Sequence, residues 1–320
     1  MEYVQLGRSG LNVSRICFGT WQFGGDWGSV ERDEALAAVR AALDQGVTFF
    51  DTAQAYGFGD SEALLAQALG EEIHRDDVIV ATKGGLRQAR GGVERDSSPE
   101  FLRDGVEHSL RHLGVEAIDL YQVHWPDRST PLAETGAALK QLVDEGKIRH
   151  VGVSNFSPDE MEELSRAIEV ETDQPPYNLF NRDIEADVLP WCREHDVGLL
   201  VYGPLSHGLL SGRFDPADLA DGDWRRGHGP FQGEALERNL EAIRGLTRFA
   251  DQHGCTLPQL AVAWVLAQPG VHVAITGARR PAHIEGIAPA AEIELSPDDL
   301  AEIDELAGAG KAWGLTPEGG

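Results

Sequence analysis

Cysteine, methionine and lysine are scarce in this 320-residue chain, which has three Cys, two Met, and lysine only at Lys83, Lys140, Lys147 and Lys311. The three cysteines, Cys17, Cys192 and Cys255, are odd in number and widely spaced, which argues against a disulfide framework and a thiolate metal cluster. Two of them adjoin Ile16 and Trp191, so they are expected to be reduced and partly buried. No run approaches the ~18 uncharged residues a membrane helix needs. The opening MEYVQLGRSGLNV has no basic stretch followed by a long apolar one. A cytoplasmic location without membrane contact is the expectation.

Positive charge is also short, with 27 basic against 53 acidic side chains and a net charge of −26. A surface this acidic repels a phosphate backbone, so no nucleic-acid partner is expected. Arginine in place of lysine, with surplus Asp and Glu, suits a GC-rich genome or a salt-adapted cytoplasm, and both stay open.

What is present is a regular alternation. Apolar, β-branched runs at 15–21, 48–53, 78–83, 117–125, 150–155, 171–178, 198–205 and 271–278 read as strands. Between them lie amphipathic helical patterns such as 33–45, 61–69, 99–113, 131–145, 158–168 and 184–195, several opened by Ser-Pro or Thr-Pro and closed by Gly. Continuous apolar strands separated by helices imply a parallel sheet covered on both faces. Eight such repeats without a linker favour one closed (β/α)₈ TIM barrel over an open doubly wound sheet, so residues 1–320 are read as a single domain. The first segment, with Gly7 and Gly10, is read as a small hairpin closing the barrel floor, and 206–233, after the seventh strand, as a long functional loop at the C-terminal face.

In such barrels the strand C-termini form the active rim. Asp51 in FFDTAQAYG, Lys83 in VIVATKGG and His124 in LYQVHWPD end three consecutive strands, and Tyr56 follows Asp51 by one short loop. A free phenol has a pKa of about 10 and is a poor acid at neutral pH. An ammonium beside it favours the phenolate and lowers that pKa, and a carboxylate keeps the buried ammonium charged. Tyr56 then qualifies as a general acid toward a carbonyl oxygen, with His124 placed to orient that oxygen. Singly, the same residues also read as a structural ion pair, a loop aromatic and a strand cap; four at one rim favour chemistry.

DTAQAYGFGDSE, ATK and QVHWPD resemble, in order and spacing, the signatures of the aldo-keto reductase superfamily, and the resemblance runs over nearly the whole chain. It implies a catalytic tetrad of Asp51, Tyr56, Lys83 and His124 and a nicotinamide cofactor as hydride source, since no side chain can supply hydride. GVSNF resembles the motif whose Ser154 and Asn155, with Gln174, hold the nicotinamide carboxamide. A Ser-Asn helix cap before Pro158 is the plainer alternative. In VYGPLSHGLLSGRF the resemblance implies that Tyr202 stacks on the nicotinamide while Leu205, Ser206 and Gly208 border the pyrophosphate; Gly203 stands where the family commonly has Ser. AITGARRPAHIEG resembles the adenosine end, implying Gly277 and Ala278 against phosphate, His283 nearby and Arg279 on a 2′-phosphate. That segment departs most from the family pattern, at Thr276, His283, Gly286 and Ile287.

The resemblance thus implies an oxidoreductase reducing a small aldehyde or ketone, with NADPH as expected reductant and NADH as the alternative. Trp21 and Trp125, which adjoin strand ends, are the substrate-contact candidates, with Phe23 and Trp224 also available on rim loops. A monomer or small homo-oligomer is expected. A slow-turnover nicotinamide-binding regulatory or sensor subunit is the second function class. A metal-dependent hydrolase built on Asp51, Asp119 and His124 is the third, but no His pair of ligand spacing stands at strand ends, so no metal is expected.

Overall fold

Side-chain parity along the strands sets the architecture. The computed structural model describes residues 1–25, 30–90, 92–219 and 223–308. Its strands are β1 (Tyr3–Gln5), β2 (Asn12–Ser14), β3 (Ile16–Gly19), β4 (Phe49–Asp51), β5 (Ile79–Gly84), β6 (Leu86–Ala89), β7 (Gly92–Arg95), β8 (Ile118–Val123), β9 (Ile148–Ser154), β10 (Thr172–Gln174), β11 (Gly198–Tyr202) and β12 (Val271–Gly277). Eight of them, β3, β4, β5, β8, β9, β10, β11 and β12, pair in parallel and close into a barrel in that order. Each overlaps one of the eight strands read from the sequence.

The helices are α1 (Arg32–Asp44), α2 (Asp60–Leu69), α3 (Pro99–Leu113), α4 (Leu132–Asp144), α5 (Pro158–Ser165), α6 (Val188–Glu194), α7 (Gly233–Gln252), α8 (Leu257–Leu266), α9 (Pro281–Ile287) and α10 (Pro297–Ala307). Several start as their sequences require. Ser98, Ser157 and Ser296 each accept a backbone N–H of the first turn, with Pro at the next position, a cap worth ~1 kcal/mol.

Successive strand residues point to opposite faces. Cys17, Phe49, Ile79, Ala81, Leu120, Leu200, Val273 and Ile275 fill the lumen. Their neighbours Phe18, Phe50, Val80, Tyr121, Leu199, Val201 and Ala274 face the helical layer. Burying each large apolar side chain stabilises the fold by ~1.5–3 kcal/mol. The floor is plugged by the antiparallel β1–β2 hairpin, which contributes Leu6 and Val13 to the same inner cluster. Ser14 Oγ stitches it down, donating to the Ile16 carbonyl at 2.7 Å and accepting from the Thr48 amide at 3.0 Å. Gly7 sits at φ 51°, where a Cβ would strike the backbone of Asp196 and Gly198, so glycine is needed there.

The structure corrects the sequence reading in several places. Strand β10 stops at Gln174 rather than running to 178, because Pro175 and Pro176 cannot donate to a ladder. β11 ends at Tyr202, before Gly203 at φ 67° and Pro204. The helix expected over 184–195 splits into a 3₁₀ turn, Asp183–Glu185, and α6. The β6–β7 hairpin, whose outer positions are polar, was not anticipated. The long loop after β11 carries short 3₁₀ turns, among them Ser206–Ser211 and Trp224–Gly227; its residues 220–222 lie outside the described residues.

Candidate active site

The parity that fills the lumen carries one step further up each strand to polar residues. After inward Phe49 comes Asp51, after Ala81 comes Lys83, after Leu120 come Gln122 and then His124, and after Leu200 comes Tyr202. All lie at the C-terminal rim. The Lys83 ammonium donates to Asp51 Oδ2 at 2.5 Å and to the Thr52 carbonyl at 2.9 Å, and stands 3.5 Å from the Tyr56 hydroxyl. Both charged partners are buried, Lys83 with 1% exposure and Asp51 with 2%. The other Asp51 oxygen, Oδ1, accepts from Gln174 Nε2 at 2.8 Å and Gln122 Nε2 at 3.3 Å. A buried ion pair is tolerable only when its remaining lone pairs are satisfied in this way.

Burial opposes the Lys83 ammonium, but the charges of Asp51 and Tyr56 outweigh it and hold its pKa above the ordinary value. Burial, then the Lys83 charge, push the His124 imidazole well below its ordinary value, so it is neutral near pH 7. The His124 ring meets Tyr56 edge-on, with centroids 5.7 Å apart at 79°. The four residues expected to act together are thus brought to one place, with a phenol, a neutral imidazole and a cation around one point.

The cofactor candidates surround this group. Asn155 adopts φ 64°, a strained conformation for a non-glycine residue and one that collects at functional sites. Its amide donates to the His124 carbonyl at 3.1 Å and to Ser154 Oγ at 2.9 Å, while its Oδ1 accepts from the Tyr202 hydroxyl at 2.9 Å. Ser154 Oγ donates to the Gln174 carbonyl at 2.7 Å. The helix-cap alternative for Ser154 and Asn155 is corrected: α5 is capped by Ser157, in a reciprocal box with Glu160. Gln174, one strand over, is a ligand of Asp51 here. Burial, then Tyr56 and Asp173, raise the Tyr202 pKa, keeping it a neutral phenol.

Leu205, Ser206 and Gly208 follow β11, and Ser206 and His207 take φ 50° and 52° in succession. Ser206 Oγ is buried without a hydrogen-bond partner, as is Thr276 Oγ1 on the neighbouring strand β12. At the end of β12 the Gln22 side-chain amide lies so close over Gly277 that a Cβ there would collide with it. The Arg279 amide approaches Nδ1 of His283 at 3.4 Å. Burial, then Arg225 and Arg280, lower the Arg279 pKa, with Asp223 opposing, which describes a local cluster of guanidiniums on a chain of net charge −26.

Of the substrate candidates, Trp21 stacks on Tyr56, with centroids 6.5 Å apart at 29°. Trp125 instead lies under the Arg95 guanidinium, 4.9 Å from its ring centre, an engagement delivered by the unforeseen β6–β7 hairpin. Phe23 packs on Phe18 at 6.0 Å and belongs to the core periphery. His207 was not singled out, yet its ring lies 6.2 Å from Trp21 and 5.1 Å from Trp224, edge-on to both. Gln122 was missed as well, although the inward spacing Leu120, Gln122, His124 carried the signal.

A sequence profile described as the aldo/keto reductase family matches residues 15–307. The chain belongs to the aldo/keto reductase family. Among relatives, it is 40% identical over 309 residues to the aldo-keto reductase YhdN of Bacillus subtilis, covering 96% of this chain and 93% of that one. It is 34% identical over 325 residues to the NADH-specific methylglyoxal reductase of Escherichia coli, covering 97% and 99%. Among solved structures, a glycerol dehydrogenase of Gluconobacter oxydans superposes with a TM-score of 0.85 at 39% identity, over 92% of this chain and 91% of that one. The holo form of an aldo-keto reductase of Bacillus halodurans gives 0.82 at 28% identity, over 97% and 98%. The aldo/keto reductase family consists of oxidoreductases that use nicotinamide cofactors. Among the described residues no helix is long and apolar enough to cross a membrane.

Proposed function

We propose that the protein reduces a small aldehyde or ketone to the alcohol, with Tyr56 as general acid and NADPH preferred over NADH. The observation that carries this reading is the chain of contacts from Asp51 through the Lys83 ammonium to the Tyr56 hydroxyl at the barrel rim. A reduced nicotinamide held at the barrel rim would supply the hydride. The unpartnered hydroxyls of Ser206 and Thr276 and the guanidinium cluster around Arg279 fit a polar, anionic dinucleotide.

The residues divide the work. Lys83, held charged by Asp51, stabilises the phenolate that Tyr56 becomes on giving its proton to the carbonyl oxygen. Neutral His124 donates a hydrogen bond that orients that oxygen. Asn155, fixed by His124, Ser154 and Tyr202, would hold the carboxamide of a bound nicotinamide, with Tyr202 beside its ring. Trp21, stacked on Tyr56, forms an apolar wall and excludes water, with His207 and Trp224 behind it.

Arg279 supports NADPH, because a guanidinium grips a 2′-phosphate with charge-assisted bonds. Chemistry of this kind fits a cytoplasmic enzyme. A panel of aldehydes and ketones including methylglyoxal, with glycerol in the oxidative direction, followed at the nicotinamide absorbance with NADPH and NADH in parallel, tests the reading. Rapid multiple turnover with at least one aldehyde supports it. Tight cofactor binding with turnover near zero across the panel would instead favour a regulatory or sensor role.

A further inference from the structure

Outside the barrel wall, where α2 packs against α3, three ligand-type side chains converge. Glu62 of α2 has 0% exposure. Its Oε1 accepts from Thr82 Oγ1 at 2.6 Å, and its Oε2 is buried with no hydrogen-bond partner. His108 and His112 stand one turn apart on α3, with ring centroids 4.0 Å apart. One ligand atom from each of Glu62, His108 and His112 lies within 4.8 Å of the others.

The imidazoles are set for ligation. His112 Nδ1 lies 2.9 Å from the His108 carbonyl. A carbonyl only accepts, so Nδ1 carries the proton and Nε2 presents its lone pair, the tautomer that metal-bound histidines adopt. Nδ1 of His108 is buried without a partner. Gly59 leaves the room: at φ 109°, a Cβ on it would fall 2.8 Å from His112 Nε2 and 2.8 Å from His108 Cε1. A buried carboxylate oxygen and a buried ring nitrogen without partners are costly unless something occupies the space between them.

We propose that Glu62, His108 and His112 form a structural transition-metal site, with Zn²⁺ as the preferred ion, clamping α2 to α3. Two imidazole nitrogens and one carboxylate oxygen are a borderline donor set, unlike the all-oxygen shells that Ca²⁺ and Mg²⁺ require. Zn–N bonds are ~2.0–2.1 Å and four-coordinate, so a small rotation of one imidazole closes the cluster and water takes the fourth position. Two further buried hydroxyls, those of Ser109 and Tyr121, lack well-formed partners, and both lie close enough to Glu62 to interact with its carboxyl. Glu62 sits just after the loop carrying Tyr56, and its other oxygen is tied to Thr82, the residue before Lys83. The metal therefore fixes the base of that loop rather than touching substrate. The sequence expectation of no metal concerned strand ends, whereas this His pair spans the last two turns of a helix, α3.

The test uses the full chain after chelator treatment, titrated with Zn²⁺ against a chromophoric chelator and melted with and without Zn²⁺. One equivalent should bind, and Tm should rise with free Zn²⁺. His108→Gln and His112→Gln should each weaken binding at least ~10-fold. Co²⁺ in place of Zn²⁺ should give a visible ligand-field spectrum without thiolate bands, which His112→Gln abolishes. Both histidines are half-buried on an outer helix, so these variants keep the test open even where Glu62→Gln unfolds. No stoichiometric uptake, or wild-type affinity in the double His variant, overturns the site.

Discussion

The Tyr56 hydroxyl stands 3.5 Å from the Lys83 ammonium, whose remaining bonds go to Asp51 and the Thr52 carbonyl. The lysine is thus coupled to the phenol on one side and fully satisfied on the other. Its charge has no partner in solvent, so it acts on Tyr56 with little screening.

Replacing that lysine separates tuning from binding. Lys83→Met should lower kcat by at least ~10²-fold, the low end for general acid catalysis, while KM and cofactor affinity change little. It also leaves Asp51 buried with only the Gln122 and Gln174 amides, so stability should fall by ~3–5 kcal/mol. Steady-state kinetics alongside chemical denaturation check both. A pure KM effect would contradict the assignment.

On the proposed reading, Arg279 would set the cofactor preference. Charge-assisted bonds to a 2′-phosphate are worth ~1.5–3 kcal/mol, which converts to a preference for NADPH of about ten- to a hundredfold in Kd. Such a contact would be ionic and made by a half-buried guanidinium, so the preference should shrink as salt rises. Fluorescence titration of wild type and Arg279→Ala with both cofactors reads it directly. Equal affinities in the wild type, as the NADH-specific relative leaves open, would refute it.

Asp173, on the outward face of β10, has 0% exposure, and neither carboxylate oxygen makes a well-formed hydrogen bond. Burial raises its pKa well above the ordinary value, against the pull of the Gln174 and Phe156 backbone amides. A raised carboxyl contributes stability below its unfolded pKa of about 3.9, and that contribution is lost as pH rises through the folded value. Asp173→Asn removes the titration, so between pH 5 and 7 the variant should lose less stability, or gain more, than the wild type. Urea unfolding at the two pH values decides it; equal changes would show that Asp173 titrates normally.

Much of this was legible in the sequence, for a local reason. Strand parity is fixed by the chain itself, so eight apolar runs implied the barrel, and the polar residues ending three of them, Asp51, Lys83 and His124, had to meet at its rim. The same parity contained Gln122, which reading for ionisable groups passed over. What resisted were features made by tertiary contact. Arg95 reaches the Trp125 ring from a polar hairpin that resembles a loop in the sequence. The early end of β10, by contrast, was local, since Pro175 and Pro176 stand inside an apolar run. Glu62 and the His108–His112 pair meet only because two helices pack side by side.

The central claim is that Tyr56 delivers the proton. It is tested most directly by comparing Tyr56→Phe with wild type in NADPH oxidation by a reactive aldehyde, with cofactor Kd measured by fluorescence on the same samples. The phenylalanine keeps the ring against Trp21 and His124 but has no proton to give. kcat should fall at least ~10²-fold with cofactor affinity unchanged. Near-wild-type kcat in the variant, or a loss carried wholly by cofactor binding, would contradict the account.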